Sequence, residues 1–240
     1  MHRFIDFKGF ADVELDLFQP LTVLIGPNGS GKSNVIEAVE LLSFIAQGRP
    51  LYEITDVGKG ESAFAIRGGL ISCPRYGKDS FTLQFSANIR FEGEDRSFTY
   101  SVSIQVKPSI KFSEETLVLG DDMYIFRTIP SSKTHSSTDI TVECNNFARG
   151  GNKPQKPISG FSSSLSQYKQ FAQDMNKKKY INCVNLIEGL HIYMRSSFVF
   201  DPNPKLMRTY ERIGDNILLK NGSNLSAVLY SLSKQKDERI

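Results

Sequence analysis

From residue 81 to residue 106 hydrophobic and polar positions alternate almost without a break. Phe81, Leu83, Phe85, Ala87, Ile89 and Phe91 fall on one side, and Thr82, Gln84, Ser86, Asn88 and Arg90 on the other. A turn at Glu92-Gly-Glu-Asp95 follows, after which Phe98, Tyr100, Val102, Ile104 and Val106 resume the pattern. A period of two with one apolar face predicts a hairpin that is packed on one side and wet on the other. Shorter apolar runs at 116–119, 124–129 and 140–142 extend it as an antiparallel meander. Near the start of the chain, residues 4–7 and 13–17 read as two strands around Lys8-Gly-Phe-Ala-Asp12. Pro20 fixes the entry to a third run, Leu21-Thr-Val-Leu-Ile25, whose unbroken apolar and β-branched character predicts a buried parallel strand.

Helical spacing appears elsewhere. Val35, Ile36, Ala38, Val39, Leu41, Leu42 and Ile45 cover most of a helix surface, which predicts a helix packed against a sheet. The stretch "SLSQYKQFAQDM" from Ser164 reads as helix, and Ile181, Val184, Ile187 and Leu190 form a further stripe, interrupted near Gly189. Residues 197–201, "SFVFD", predict a strand stopped by Pro202 and Pro204. A last helix carries Leu225, Val228, Leu229 and Leu232 on one face, with Asn221 or Ser223 as its cap. Residues 144–164 are rich in Gly, Pro, Ser, Asn and Lys and predict an exposed, flexible loop. Its Arg149, Lys153 and Lys156 read either as phosphate contacts or as solvated linker charges.

Composition narrows the class. The chain has 240 residues, 40% of them hydrophobic and 23% charged, enough to bury a core. A net charge of +3 is too small to argue for nucleic acid or membrane as a partner. The three cysteines, Cys73, Cys144 and Cys183, are odd in number and far apart, which suits free thiols in a reducing cytoplasm. The histidines, His2, His135 and His191, are equally scattered, so neither a metal cluster nor a Ser-His-Asp arrangement can be read. No apolar run approaches the ~20 residues that span a membrane.

The chemistry is concentrated at "GPNGSGKS", residues 26–33, which fits G-x-x-x-x-G-K-[ST]. An apolar run precedes it and a helical pattern follows it, the context this motif needs to be a phosphate loop rather than an ordinary glycine turn. Glycines let backbone N–H groups turn inward around phosphates where a Cβ would block the approach. The partial positive charge of the helix N-terminus points to the same place. The cradle comprises Asn28, Gly29, Ser30, Gly31, Lys32, Ser33 and Asn34. Lys32 is expected to reach the β- and γ-phosphates of ATP, and the Ser33 hydroxyl to bind Mg²⁺.

"FKGF" followed by "LTVLIGPNGSGKSNVIEAVELL" resembles the amino-terminal lobe of ABC-type ATPases of the SMC and RecF kind. More narrowly, the chain resembles the bacterial ATPases of the AAA_21 group, relatives of the OLD-family ATPases. "SSLSQYKQ", "LHIYMRSSFVFDPNPKLMR" and "LLKNGSNLSAVLYSL" are similar to later segments of that group. The resemblance implies an α/β P-loop NTPase fold, an amino-terminal lobe with an antiparallel β meander and a helical segment. The parts are residues 1–48 with the loop and first helix, a β-rich subdomain at 60–143, the loop at 144–164 and a helical segment at 165–240. The resemblance also implies that Gln167 completes the Mg²⁺ shell or senses the attacking water, against a plain helix-surface glutamine. By the same resemblance Lys8 matches a basic position that contacts nucleotide in some relatives, and Arg67, in "AIRGG", a position near the γ-phosphate, each against a solvated surface charge.

Hydrolysis in these enzymes needs an apolar strand ending in Asp-Glu, a serine-glycine signature and a switch histidine. "LVLGDD", 117–122, reads instead as a hairpin turn, and "FVFD" is followed by Pro202 where Glu is wanted. The resembling group carries these pieces after the "NGSNLSAVL" helix, so the expectation is one incomplete domain without its carboxy-terminal lobe. Such a chain is expected to be sticky, partly unfolded or dimeric, and inactive as an ATPase by itself. Three functions are open: an ATP-binding lobe whose dimerisation switches an effector such as a nuclease, or a DNA-bound complex, in anti-phage defence; a complete small kinase or GTPase; or an ATP-binding scaffold that does not hydrolyse. A GTPase would want N-K-x-D, and "NKKK" at Asn176 fails at the aspartate.

Overall fold

The computed structural model describes residues 1–57, 64–121, 123–129, 138–148, 152–172, 177–196, 199–208 and 217–234. The chain divides into two compact units, Met1–Ser196 and Ser197–Ile240.

The first unit is built on β1 (His2–Phe7), β2 (Phe10–Leu15), α1 (Lys32–Ala46), β3 (Ile54–Asp56), β4 (Phe64–Ile66), β5 (Ser80–Phe91), β6 (Glu94–Gln105), β7 (Lys111–Leu119), β8 (Met123–Ile129), β9 (Asp139–Cys144), β10 (Gln155–Ser159), α2 (Ser164–Phe171) and α3 (Lys177–Ser196). Eight strands form one antiparallel sheet in the order β10-β9-β8-β7-β6-β5-β1-β2. The alternating run becomes β5 and β6, paired from Ser80↔Gln105 to Phe91↔Glu94 across a turn with Gly93 at φ 90°. Phe81, Leu83, Phe85, Tyr100, Val102 and Ile104 are buried, as the period of two requires. The amino-terminal hairpin β1–β2 joins the same sheet through β1 and β5, with Phe4 opposite Leu83. Helices α2 and α3 bring aromatic rings to the sheet: Tyr193 stacks on Phe85 at 5.0 Å, and Tyr168 and Phe171 meet Phe126.

Four expectations are corrected. Residues 21–25 form no strand; Leu21, Val23 and Ile25 are 79%, 66% and 90% exposed. An apolar run becomes a strand only where neighbouring strands take its backbone hydrogen bonds, and none of the described strands runs beside it. Helix α1 packs chiefly on α3, with lighter contact to α2 and β1, rather than on a parallel sheet. Part of the stretch 144–164 is ordered as edge strand β10, with Ile158 opposite Ile140; Lys156 lies on it and Lys153 bonds Asn146 and Ala148. Arg149 lies outside the described residues. Helix α3 runs through Gly189 without a break, since one glycine costs only ~1 kcal/mol against alanine.

In the second unit, residues 199–201 form no strand, although Asp201 N–H donates to the Lys220 carbonyl and Asn203 N–H to that of Asn221. Helix α4 (Leu225–Lys234) buries Ala227 and Val228.

Candidate functional site

Helix α1 begins at Lys32 out of a loop whose last residue, Gly31, sits at φ 96°, ψ 1°. A side chain there would be strained by that φ, and its Cβ would come within 2.9 Å of the Phe10 ring. A Cβ on Gly26 would lie 2.8 Å from the Ser30 hydroxyl, so the loop closes tightly on itself. Among the described residues the backbone N–H groups of Gly29, Gly31, Lys32 and Ser33 have no hydrogen-bond partner, while Asn34 and Val35 N–H already donate to the Gly31 carbonyl. The Lys32 ammonium folds over the loop and donates to the carbonyls of Gly26 at 2.6 Å and Pro27 at 2.8 Å. Asn28, Ser30 and Ser33 are exposed. Unpaired amides converging at a helix N-terminus, with an ammonium inside the same loop, form a site for a phosphorylated anion. Such a donor set could hold a nucleotide triphosphate, and the exposed Ser33, next to Lys32, is a residue that could hold Mg²⁺.

A second group of side chains sits one helical turn along α1. Glu37 is nearly buried, and its carboxylate accepts from Lys8 Nζ at 2.7 Å and Arg67 Nε at 2.6 Å. Arg67 Nη2 donates to Glu37 Oε2 and to Asn34 Oδ1, each at 3.1 Å. Lys8 Nζ also donates to the Arg67 carbonyl at 3.0 Å. Burial works against the Glu37 charge, but hydrogen bonds from Arg67 and Lys8 outweigh it and hold the carboxyl below its usual range. The backbone supports the arrangement. Lys8 sits at φ 49° in the β1–β2 turn, with its N–H on the Cys73 carbonyl, and Arg67 follows β4, before Gly68 N–H donates to Asp56 Oδ1. Lys8 and Arg67 are therefore not isolated charges. Their charges are paired, with the Lys8 side chain 10% and the Arg67 side chain 54% exposed.

Gln167 is elsewhere. It lies on α2, and its side-chain amide donates to the carbonyls of Ser159 at 3.0 Å and Ser162 at 2.8 Å. Its neighbour Ser166 touches Gly48, just beyond the carboxy-terminal end of α1. A 15-residue helix is ~22 Å long, so Gln167 stands at the opposite end of α1 from Lys32. There it lines a polar cleft of 460 Å³ with Gln47, Gly48, His191 and Arg195. This corrects the expectation that it meets Mg²⁺: its amide is spent on holding the turn before α2.

Glu37 and Glu115 are the acids that sequence reasoning missed. An acid within the otherwise apolar "NVIEAVELL" was the available signal for Glu37. In "LVLGDD" the residues Leu117–Leu119 end β7 and Gly120, at φ 67°, begins the turn to β8; Asp122 lies outside the described residues.

A profile of the family described as "AAA domain, putative AbiEii toxin, Type IV TA system" matches residues 21–182. The chain is similar to the DNA replication and repair protein RecF of Acaryochloris marina, 34% identical over 89 residues, 37% of this chain and 22% of the relative. RecF of Paenarthrobacter aurescens is 24% identical over 137 residues, 57% of this chain and 33% of the relative. The chromosome partition protein Smc of Desulfitobacterium hafniense is 65% identical over 34 residues, 14% of this chain and 3% of the relative. The chain thus spans a third or less of the length of these curated relatives. No solved structure gives a significant match. No described helix is long and apolar enough to cross a membrane. The phosphate loop, the helix it opens and a profile match over most of the chain lead to one assignment: this chain belongs to the AAA_21 family of ATPase domains, of the RecF and SMC type.

Proposed function

We propose that the chain is the ATP-binding lobe of an ABC-type ATPase, and that ATP-dependent association with a second ATPase lobe or subunit switches a partner. The observation that carries this reading is the loop itself: four unpaired amides at the start of α1 and Lys32 folded onto the Gly26 and Pro27 carbonyls. In this reading Lys32 exchanges those two carbonyls for phosphate oxygens, and the amides of Gly29, Gly31, Lys32 and Ser33 take the remaining phosphate charge. Ser33 would hold Mg²⁺, which would supply positive charge against the phosphates.

The exposed run 21–25 supports the second half of the proposal. It exposes Leu21, Val23 and Ile25 and leads directly into the loop, so strands from another lobe have a ready edge to pair with. That lobe is also the proposed source of the carboxylate that polarises the attacking water. DNA association is suggested by the names of the RecF and Smc relatives, and an effector partner in defence by the toxin–antitoxin wording of the family description.

The test is titration of the chain with fluorescent ATP and Mg²⁺. Lys32→Ala is expected to weaken binding at least about tenfold, the scale of one lost charge-assisted contact. Equal affinity in the two proteins would overturn the reading.

A further inference from the structure

The polar cleft of 460 Å³ lies at the end of α1 away from the phosphate loop, where Gln47 and Gly48 meet α2 and the last turns of α3. Its volume is that of a small-molecule site. Gly48 makes the junction possible: it sits at φ 72°, and a Cβ there would come within 3.0 Å of the Ser166 Cβ. Lys169 of α2 pairs with Glu188 of α3, so the two helices that wall the cleft are already held to each other.

The lining carries positive charge without negative. It includes Arg195 and His191 and no carboxylate. Among the described residues the side chains of Arg195, Gln47 and Gln170 have no hydrogen-bond or ion-pair partner. His191 Nε2 is buried and also lacks a protein partner, which a group entering the cleft would supply. Burial, and then the charge of Arg195, holds the His191 imidazole below its usual range. At neutral pH the ring is therefore uncharged, with one N–H and one acceptor nitrogen. Acceptors are present as well. Pro50 stands four residues after Ala46 and has no N–H, so the Ala46 carbonyl at the end of α1 receives no helical donor. The Gln167 nitrogen is spent on Ser159 and Ser162, which leaves its oxygen to accept. The partial negative charge at the end of α1 disfavours a bare anion there. A ligand with an anionic group for Arg195 and hydroxyls for the helix end meets both demands.

We propose that this cleft is a binding site for a small hydroxylated anion, separate from the phosphate loop. The phosphate or carboxylate group lies on Arg195, and the hydroxyls lie on the Ala46 carbonyl and the Gln47 and Gln170 amides.

The experiment is NMR titration of the 240-residue chain, read at the His191 imidazole C–H resonance, which is assigned by its loss in His191→Gln. The probes are ribose 5-phosphate and gluconate, with ribose and inorganic phosphate as the separate halves of such a ligand. At least one of the two hydroxylated anions is expected to move the resonance saturably and to bind more tightly than either half. A response to ribose 5-phosphate alone assigns a phosphate ligand, and one to gluconate alone a carboxylate. Arg195→Gln, at an exposed position, is expected to weaken that binding at least about tenfold, the scale of one charge-assisted contact, with thermal melting unchanged. The same variant is expected to bind fluorescent ATP as the wild type does. No saturable movement with either hydroxylated anion, equal affinity in Arg195→Gln, or inorganic phosphate binding as tightly as both would overturn the proposal. A matching loss of ATP affinity in Arg195→Gln would also overturn it, because the effect would then not be confined to the cleft. The nucleotide reading stands or falls separately, on Lys32→Ala.

Discussion

Glu115 is fully buried on β7, opposite Val102 in the middle of an apolar row. A register shift between Ser103 and Ile104 accompanies its inward placement. Its carboxylate accepts from Tyr100 Oη at 2.8 Å, Ser163 Oγ at 2.7 Å, Ser164 N–H at 2.6 Å and Leu165 N–H at 2.9 Å. It thus caps α2 from another element and pins that helix to the sheet. Glu115→Ala leaves the Ser164 N–H without its partner and the Tyr100 and Ser163 hydroxyls with only each other at 3.4 Å, and is expected to cost about 3 kcal/mol or more in urea denaturation. Burial raises the Glu115 carboxyl despite these bonds, whereas Glu37 is lowered. The two acids therefore act on stability with opposite signs. A group raised above its unfolded value of 4.5 contributes fully below that pH and less as pH rises through its folded value. A lowered one contributes above 4.5 and loses its contribution as pH falls. Wild type is expected to lose its margin over Glu115→Ala as pH rises from 4.5, and its margin over Glu37→Gln as pH falls from 4.5. Denaturant midpoints across the acid range check both slopes. Gly31→Ala is a third residue-scale case: with φ at 96° and Phe10 in the way, it is expected to destabilise α1 by roughly 1–3 kcal/mol and to abolish nucleotide binding.

At the scale of elements, α1 and the run before it behave differently. Helix α1 is anchored by burial of Val35, Ala38, Leu41, Leu42 and Ile45. Residues 21–25 carry as much apolar character but bury little of it in this chain. Their substitution is therefore a clean separation of folding from association. Val23→Asp is expected to change the melting of the chain by no more than about 0.5 kcal/mol, the range for exposed positions. The same change is expected to abolish pairing with a strand-bearing second lobe, read by co-purification with that lobe. A large loss of stability in the chain alone would mean that the run is packed in a way the exposures do not describe. The alternation of β5 and β6 was legible in advance because each strand reports its own face. The strand at 21–25 was read wrongly because a strand also needs a neighbour, and no local pattern reports the neighbour.

At the scale of the whole molecule, all the residues of the candidate site belong to the unit Met1–Ser196, drawn from a hairpin, a helix start and the end of a two-stranded parallel pair. Removal of residues 197–240 is accordingly expected to leave nucleotide affinity unchanged in the same titration. The exposed apolar run makes self-association the expected behaviour at high concentration. Sedimentation that depends on concentration in the wild type, and not in a Val23→Asp variant, is the expected result. The phosphate loop, the helix after it and the alternating meander were written in the sequence, because each depends on residues within a few positions of one another and on the period of their own backbone. Only the tertiary structure decided that Lys8 and Arg67 meet on Glu37, that Gln167 stands by the carboxy-terminal end of α1, and that Glu115 caps a helix from a strand. Those approaches join residues from 29 positions apart (Lys8 and Glu37) to 118 (Gly48 and Ser166), and their partners are chosen by how the sheet and helices pack, which spacing along the chain does not encode.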